Sequence, residues 1–257
     1  MTCWVRFRHN GTIGFGTLSQ STIAVHVGDM FDAPTSTGQT LALAEVALLA
    51  PAAPSKIIAL WNNFHALAAK LKSPEPAEPL YFLKAPSSVA APGAVVNRPA
   101  SYDGKVVYEG ELGIVIGKPC SGISEQEADA HIFGYTCVND ITAAEILNRD
   151  PTFPQWARAK SFDGFGPFGP AIAAGIDPAK LSVRTILNGA ERQNYPVADM
   201  IFSPQQVVAR ISHDMTLLPG DLICCGTSVG VGAMKEPINK VTIAIDSIGE
   251  LHNEFHG

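Results

Sequence analysis

Charge is scarce in this chain, and nowhere is it concentrated as basic residues: 16% of the 257 residues are Asp, Glu, Lys or Arg, and the formal net charge is -6. Without a Lys/Arg cluster there is no electrostatic footprint for nucleic acid or for an anionic lipid surface, so the expected partner is a small molecule. No apolar run approaches the roughly 18 residues that a membrane-spanning helix requires. The opening MTCWVRFRHNGTIGFGTL lacks the charged start and apolar stretch of a secretory signal, and a cytoplasmic location is expected. Cys3, Cys120, Cys137, Cys224 and Cys225 are odd in number and include no CxxC spacing, which speaks against a disulfide framework and a zinc site. They read as small, reduced core residues.

What the chain has is 46% hydrophobic residues, 23 glycines and 19 prolines, the composition of a globular protein with many tight turns. Residues 1–52 alternate polar with apolar in short runs (VRFRHNGTIGFGTL, TIAVHVGDMFD) and close with ALAEVALLAPAAPSK, read as a short helical run ended by prolines; they form a small N-terminal β subdomain. Residues 53–257 form a second unit, of apolar runs bounded by Gly, Pro, Asn or Asp: KIIAL, LYFLKAP, VVYEGELGIVIG, AHIFGYTCVND, KLSVRTILNG, DLICCGT and KVTIAIDSIG. Helices are few and peripheral. Ser124 with Glu127, and Ser203 ahead of PQQVVARISHDM, mark two helix starts. The fold class is therefore β-rich α+β. From Asn148 to Pro170 hydrophobic periodicity fades, which marks a long, functional loop.

Within VVYEGELGIVIG, Glu109 and Glu111 are two residues apart in a strand pattern, so their carboxylates leave one face side by side. Two carboxylates that close repel, and a hard divalent cation with oxygen ligands is the common relief. An edge strand with a solvated acidic face remains the alternative. Asp140 adds a third carboxylate where the run YTCVND leaves its strand.

LYFLKAPSSVAAPG, VYEGELGIVIGK, GYTCVNDITAAE, WARAKSFDGFGPFGP, LPGDLICCGTSVGVG and the closing IGELHNEF follow one another in fixed order. From about Lys56 to Phe255 this order resembles the fumarylacetoacetate hydrolase family. The resemblance implies a mixed β-sandwich roll, a homodimer, and a Mg²⁺ or Mn²⁺ site on Glu109, Glu111 and Asp140 that chelates a small oxo-acid. It implies Lys160 of AKSFD as the catalytic cation, and Thr227 as a substrate-carboxylate donor in a loop opened by Gly226 and Gly230. It also implies a water-activating histidine, His65. The dyad glutamate expected three residues on is replaced by Ala68, with Glu75 and Glu78 as the carboxylates at hand. Relatives carry a substrate-binding arginine where this chain has Ala144, leaving Arg149 or Arg158 to replace it, and Ser228 stands where proline is usual. The reaction implied first is metal-dependent hydrolysis of a C–C bond in an acylpyruvate-type 2,4-dioxo acid, such as fumarylpyruvate or maleylpyruvate from aromatic breakdown. A decarboxylase or keto–enol isomerase of an oxo-di- or tricarboxylate on the same metal site is the alternative, and the missing dyad glutamate favours it.

Overall fold

The computed structural model describes all 257 residues, and none of its helices is long and apolar enough to cross a membrane. The first four strands, Thr2–His9, Thr12–Ser19, Thr22–Asp29 and Asp32–Ala42, form an antiparallel meander. Its first turn is Asn10-Gly11, both at positive φ, the backbone that a two-residue hairpin needs and that Asn-Gly adopts readily. The helical run expected after the meander is absent. A 3-10 turn, Leu43–Glu45, leads instead into the strand Ala47–Leu49, antiparallel to Arg6–Arg8. Pairing with an open backbone edge overrides the helix preference of an Ala/Leu-rich segment this short.

The meander is no separate sheet. Thr2–Trp4 pairs with Ile172–Ala174, so the meander continues through Gly166–Ala174, Ile132–Asn139, Gly110–Ile116, Leu222–Cys224 and Ile57–Trp61 to Leu80–Lys84. A five-stranded sheet, built from Ser182–Leu187, Ala190–Pro196, Ile238–Ile245, Gly249–His256 and Val95–Asn97, packs across the middle of the large one. Alternation along Gly110–Ile116 sorts its side chains: Leu112, Ile114 and Ile116 join the main core with Val183, Ile243 and Leu251. Val115 turns to the opposite face and packs with Ile57, Ala59, Val138 and Phe168. Parity then places Glu111 on Val115's face, Asp140 on Val138's and Lys84 on that of Phe82, all one side of the large sheet.

The segment Asn148–Pro170 is less irregular than its sequence suggests. It holds a short helix, Trp156–Lys160, and the start of the strand Gly166–Ala174. The helices Glu125–Ala128 and Pro204–Asp214 begin with capping boxes at Ser124 and Ser203, and they pack on each other at the periphery.

Candidate metal centre

Glu109, Glu111 and Asp140 converge: each offers a carboxylate oxygen within 4.8 Å of the others. Glu109 does not lie inside a continuous strand as its spacing suggests. It occupies the break between Val106–Tyr108, in a small three-stranded sheet, and Gly110–Ile116. The break is held by Asp140, whose N–H donates to the Glu109 carbonyl (2.8 Å), while the Glu109 N–H donates to Asn139 Oδ1 (3.3 Å). Glu111 and Asp140 are 1% and 0% exposed, so an edge strand with a solvated acidic face is excluded.

Two ammonium groups enter the cluster. Lys160, presented by the short helix Trp156–Lys160, donates to Glu109 Oε2 (2.8 Å) and Asp140 Oδ2 (2.5 Å). Lys84, fully buried at the end of its strand, donates to Asp140 Oδ1 and to the Phe165 carbonyl. Burial pushes the Glu111 carboxyl well above its ordinary value, the Asp140 charge adding to the rise and Lys160 opposing it. Burial raises Glu109 in the same way, against the pull of Lys160. Asp140 suffers the same burial, but Lys160 and Lys84 together outweigh it and hold that carboxyl below its usual value. For Lys160 burial favours the neutral amine, yet Asp140, Glu109 and Glu111 prevail and keep it protonated. In the metal-free cluster Lys160 is thus an ammonium ion.

The residues fit a hard divalent ion. The donors are all carboxylate oxygens, and while Glu111 Oε2 accepts from the Gly226 N–H (2.9 Å), Glu111 Oε1 is buried with no partner. An unpartnered buried anion is costly unless a cation meets it, and Mg²⁺ or Mn²⁺ suits oxygen ligands of this number. Three carboxylates against two ammonium groups leave one negative charge. A divalent ion would leave the cluster positive, ready for an anionic oxo-acid.

The expected substrate-binding residues fare differently. The Thr227 hydroxyl donates to the Gly110 carbonyl (2.9 Å) and accepts from Gln193 Nε2 (2.8 Å), so its one hydrogen is committed within the protein and is not presented to a substrate carboxylate. Gly226 is needed for a positive φ of 87° beneath the Leu60 carbonyl. At Gly230 a Cβ would lie 2.2 Å from the Arg192 carbonyl, so chain packing alone requires that glycine. Arg149 and Arg158 are not gathered at the carboxylates: both are exposed, Arg149 lying over the Tyr102 ring and Arg158 bonding to Gln155 two residues round the helix from Lys160. His65 opens the helix His65–Leu71, and its Nδ1 meets Glu75 Oε1 at 2.5 Å, so a carboxylate ten residues on partners it where Ala68 is buried.

Sequence reasoning did not assign roles to Lys84, Gln193 or Tyr195. A lysine at the parity of Phe82 in an apolar strand was the available signal for Lys84. Nothing in RQNYP sets Gln193 or Tyr195 apart.

Comparison with known proteins points to one family. The family model for the C-terminal domain of fumarylacetoacetate (FAA) hydrolase matches residues 56–256, and one described as Rv2993c-like, N-terminal, matches residues 4–51. Oxaloacetate tautomerase YisK of Bacillus subtilis is 38% identical over 83% of this chain and 74% of its own length. The 2-hydroxyhepta-2,4-diene-1,7-dioate isomerase of Mycobacterium marinum superposes with a TM-score of 0.90 at 36% identity, covering 100% of this chain and 98% of that one. The maleylpyruvate hydrolase of Sphingobium sp. SYK-6, solved with manganese(II) and pyruvate, gives a TM-score of 0.79 at 26% identity over 100% and 99% of the two chains. With a family model spanning most of its length and its three acidic residues gathered within 4.8 Å of one another, this chain belongs to the fumarylacetoacetate hydrolase family.

Proposed function

We propose that the protein is a divalent-metal-dependent keto–enol tautomerase or isomerase of a small 2-oxo dicarboxylate of the oxaloacetate type. One observation carries this reading: Lys84 and Lys160 are salt-bridged into the three-carboxylate cluster, so that with a divalent ion bound the site would be net positive, a field suited to an enolate, while Arg149 and Arg158 lie at the surface. A proton shift within an oxo-acid needs enolate stabilisation and one base, but no attacking water. A Mg²⁺ or Mn²⁺ ion held by Glu109, Glu111 and Asp140 would supply Lewis-acid polarisation of the oxo-acid. Lys160 hydrogen-bonds the developing enolate oxygen. His65, its Nδ1 side held by Glu75, takes the C3 proton and returns it to the 2-oxo oxygen. The C3–H bond breaks, a C2–C3 double bond forms, and no water is consumed. The similarity to the Bacillus subtilis tautomerase and the Mycobacterium marinum isomerase supports the same reading.

Hydrolysis of an acylpyruvate-type acid is the second reading, favoured by the same His65–Glu75 pair, which is also what a water-activating base requires. The test is incubation of the Mn²⁺-loaded protein in D₂O with oxaloacetate and with fumarylpyruvate, followed by NMR. Catalysed deuterium incorporation at C3 of oxaloacetate with the carbon skeleton intact supports tautomerisation. Pyruvate and fumarate appearing from fumarylpyruvate, with no catalysed exchange at oxaloacetate, overturns it. A homodimer is part of the proposal and is read from the solution mass.

A further inference from the structure

Between the two glutamates lies Gly110, and its N–H and its carbonyl, which belong to the two successive peptide units joining Glu109 to Glu111, are both gripped from the second sheet. Its N–H donates to Gln193 Oε1 (3.0 Å), and its carbonyl accepts from the hydroxyls of Tyr195 (2.5 Å) and Thr227 (2.9 Å). Gln193 Oε1 also accepts from Thr185 (2.8 Å), and Gln193 Nε2 donates to Thr227 (2.8 Å) and to the Ser228 carbonyl (3.3 Å). The ring is closed and buried: Thr185, Gln193, Tyr195 and Thr227 are each no more than 8% exposed. Its polarity admits one arrangement. Because Gly110 offers an N–H, the Gln193 oxygen must face it; the amide nitrogen then faces Thr227, and the Thr227 hydrogen is left only the Gly110 carbonyl. A Cβ at Gly110 would lie 2.0 Å from Thr185 Oγ1, so no other residue fits inside the ring.

Packing alone does not ask for this. Four buried polar side chains gathered about one residue's backbone are costly unless every bond is made, and here they fix the segment that aims two carboxylates at one point. We infer that Gln193, with Thr227 and Tyr195, is a positioning residue for the metal centre: together they hold the Gly110 N–H and carbonyl and so set the separation of Glu109 and Glu111, and metal affinity is governed from the second sheet. The inference rests on the reading of Glu109, Glu111 and Asp140 as metal ligands.

The experiment is Mn²⁺ binding to the full chain without substrate, by calorimetry and by the electron paramagnetic resonance signal of free Mn²⁺. Partners that orient metal ligands are typically worth about 10- to 100-fold in affinity. Gln193→Leu and Thr227→Val should therefore weaken Mn²⁺ by about ten-fold or more, with circular dichroism unchanged. Thr227→Ser, which keeps the hydroxyl, should bind within about two-fold of the parent, well below that range. A folded Gln193→Leu protein that binds like the parent overturns the inference. If Gln193→Leu does not fold, the Thr227 pair decides: serine and valine variants equally weak, or equally tight, overturn it, since the hydroxyl would then not matter. Glu111→Gln tests the underlying reading separately. If that variant binds Mn²⁺ as the parent does, or the parent binds none, the metal assignment fails and the positioning role with it.

Discussion

Glu111→Gln should stabilise the protein in the absence of metal while removing its capacity to bind one. The carboxylate is 1% exposed; one oxygen accepts from the Gly226 N–H at 2.9 Å and the other has no partner. Leaving a buried acceptor unsatisfied costs about 1–3 kcal/mol, and more when it is charged. Glutamine has the same shape, keeps the bond from Gly226, turns its amide N–H groups towards the Glu109 and Asp140 oxygens that lie within 4.8 Å, and leaves two carboxylates facing two ammonium groups. The metal-free variant should therefore gain about 1–3 kcal/mol, which for a chain of this size raises Tm by about 2–12 °C. The gain depends on pH in a defined direction. Burial holds the native carboxyl above its ordinary value of 4.5, so between the two values the native state binds more protons than the unfolded state. Stability contributed by this group falls as pH rises through that window, and the variant, which has no such group, gains on the parent from about pH 4.5 upward. Thermal unfolding in EDTA at pH 5 and pH 8, followed by circular dichroism, reads the effect. Excess Mn²⁺ at about 100 times its Kd should then restore about 2.7 kcal/mol to the parent alone, narrowing or reversing the order. A variant less stable than the parent in EDTA at pH 8, or one whose advantage shrinks as pH rises, would refute the account of Glu111 as a strained, buried anion.

Two other outcomes follow from the same cluster, and two from the His65–Glu75 pair. Lys84→Met leaves Asp140 buried with only Lys160, and breaking a buried pair of this kind should cost about 3–5 kcal/mol, visible as a lowered midpoint in urea. Lys160→Met removes positive charge from the cluster, so calorimetry should find Mn²⁺ bound more tightly while turnover of the oxo-acid falls about 10²- to 10³-fold; weaker Mn²⁺ binding would argue that Lys160 organises the ligands. His65→Ala should lower kcat by about 10²- to 10⁴-fold, and Glu75→Gln by less. Tm should hardly move in either, because the pair is about half exposed and such pairs contribute little to stability.

Much of this arrangement is written locally, and the rest is not. The two-residue period of GELGIVI and the exit of YTCVND from its strand point to Glu111 and Asp140, and capping patterns mark the helices at Ser124 and Ser203. These features depend on neighbours a few residues away. Lys84 meets Asp140 across 56 residues and Gln193 meets Gly110 across 83, and such partnerships are created by strand order, which no local period encodes. Thr227 shows the same limit: its place in a glycine-rich loop suggests a ligand contact, whereas a glutamine from another sheet claims the hydroxyl. The break at Glu109 is hidden too, because VVYEGELGIVIG has an unbroken strand pattern and the two halves part only when they join different sheets.

The pairing of Thr2–Trp4 with Ile172–Ala174 gives the opening strand a protective task. On its far side Gly166–Ala174 adjoins Ile132–Asn139, the strand that ends at Asp140. Cutting away the first fifty residues would therefore bare a row of unsatisfied amides and carbonyls only two strands from the carboxylates, a template for foreign strands and for aggregation. An amino-terminal segment that looks like a detachable accessory is, in hydrogen-bonding terms, the selvedge of the catalytic sheet, and a graft in its place must supply a strand in the same register.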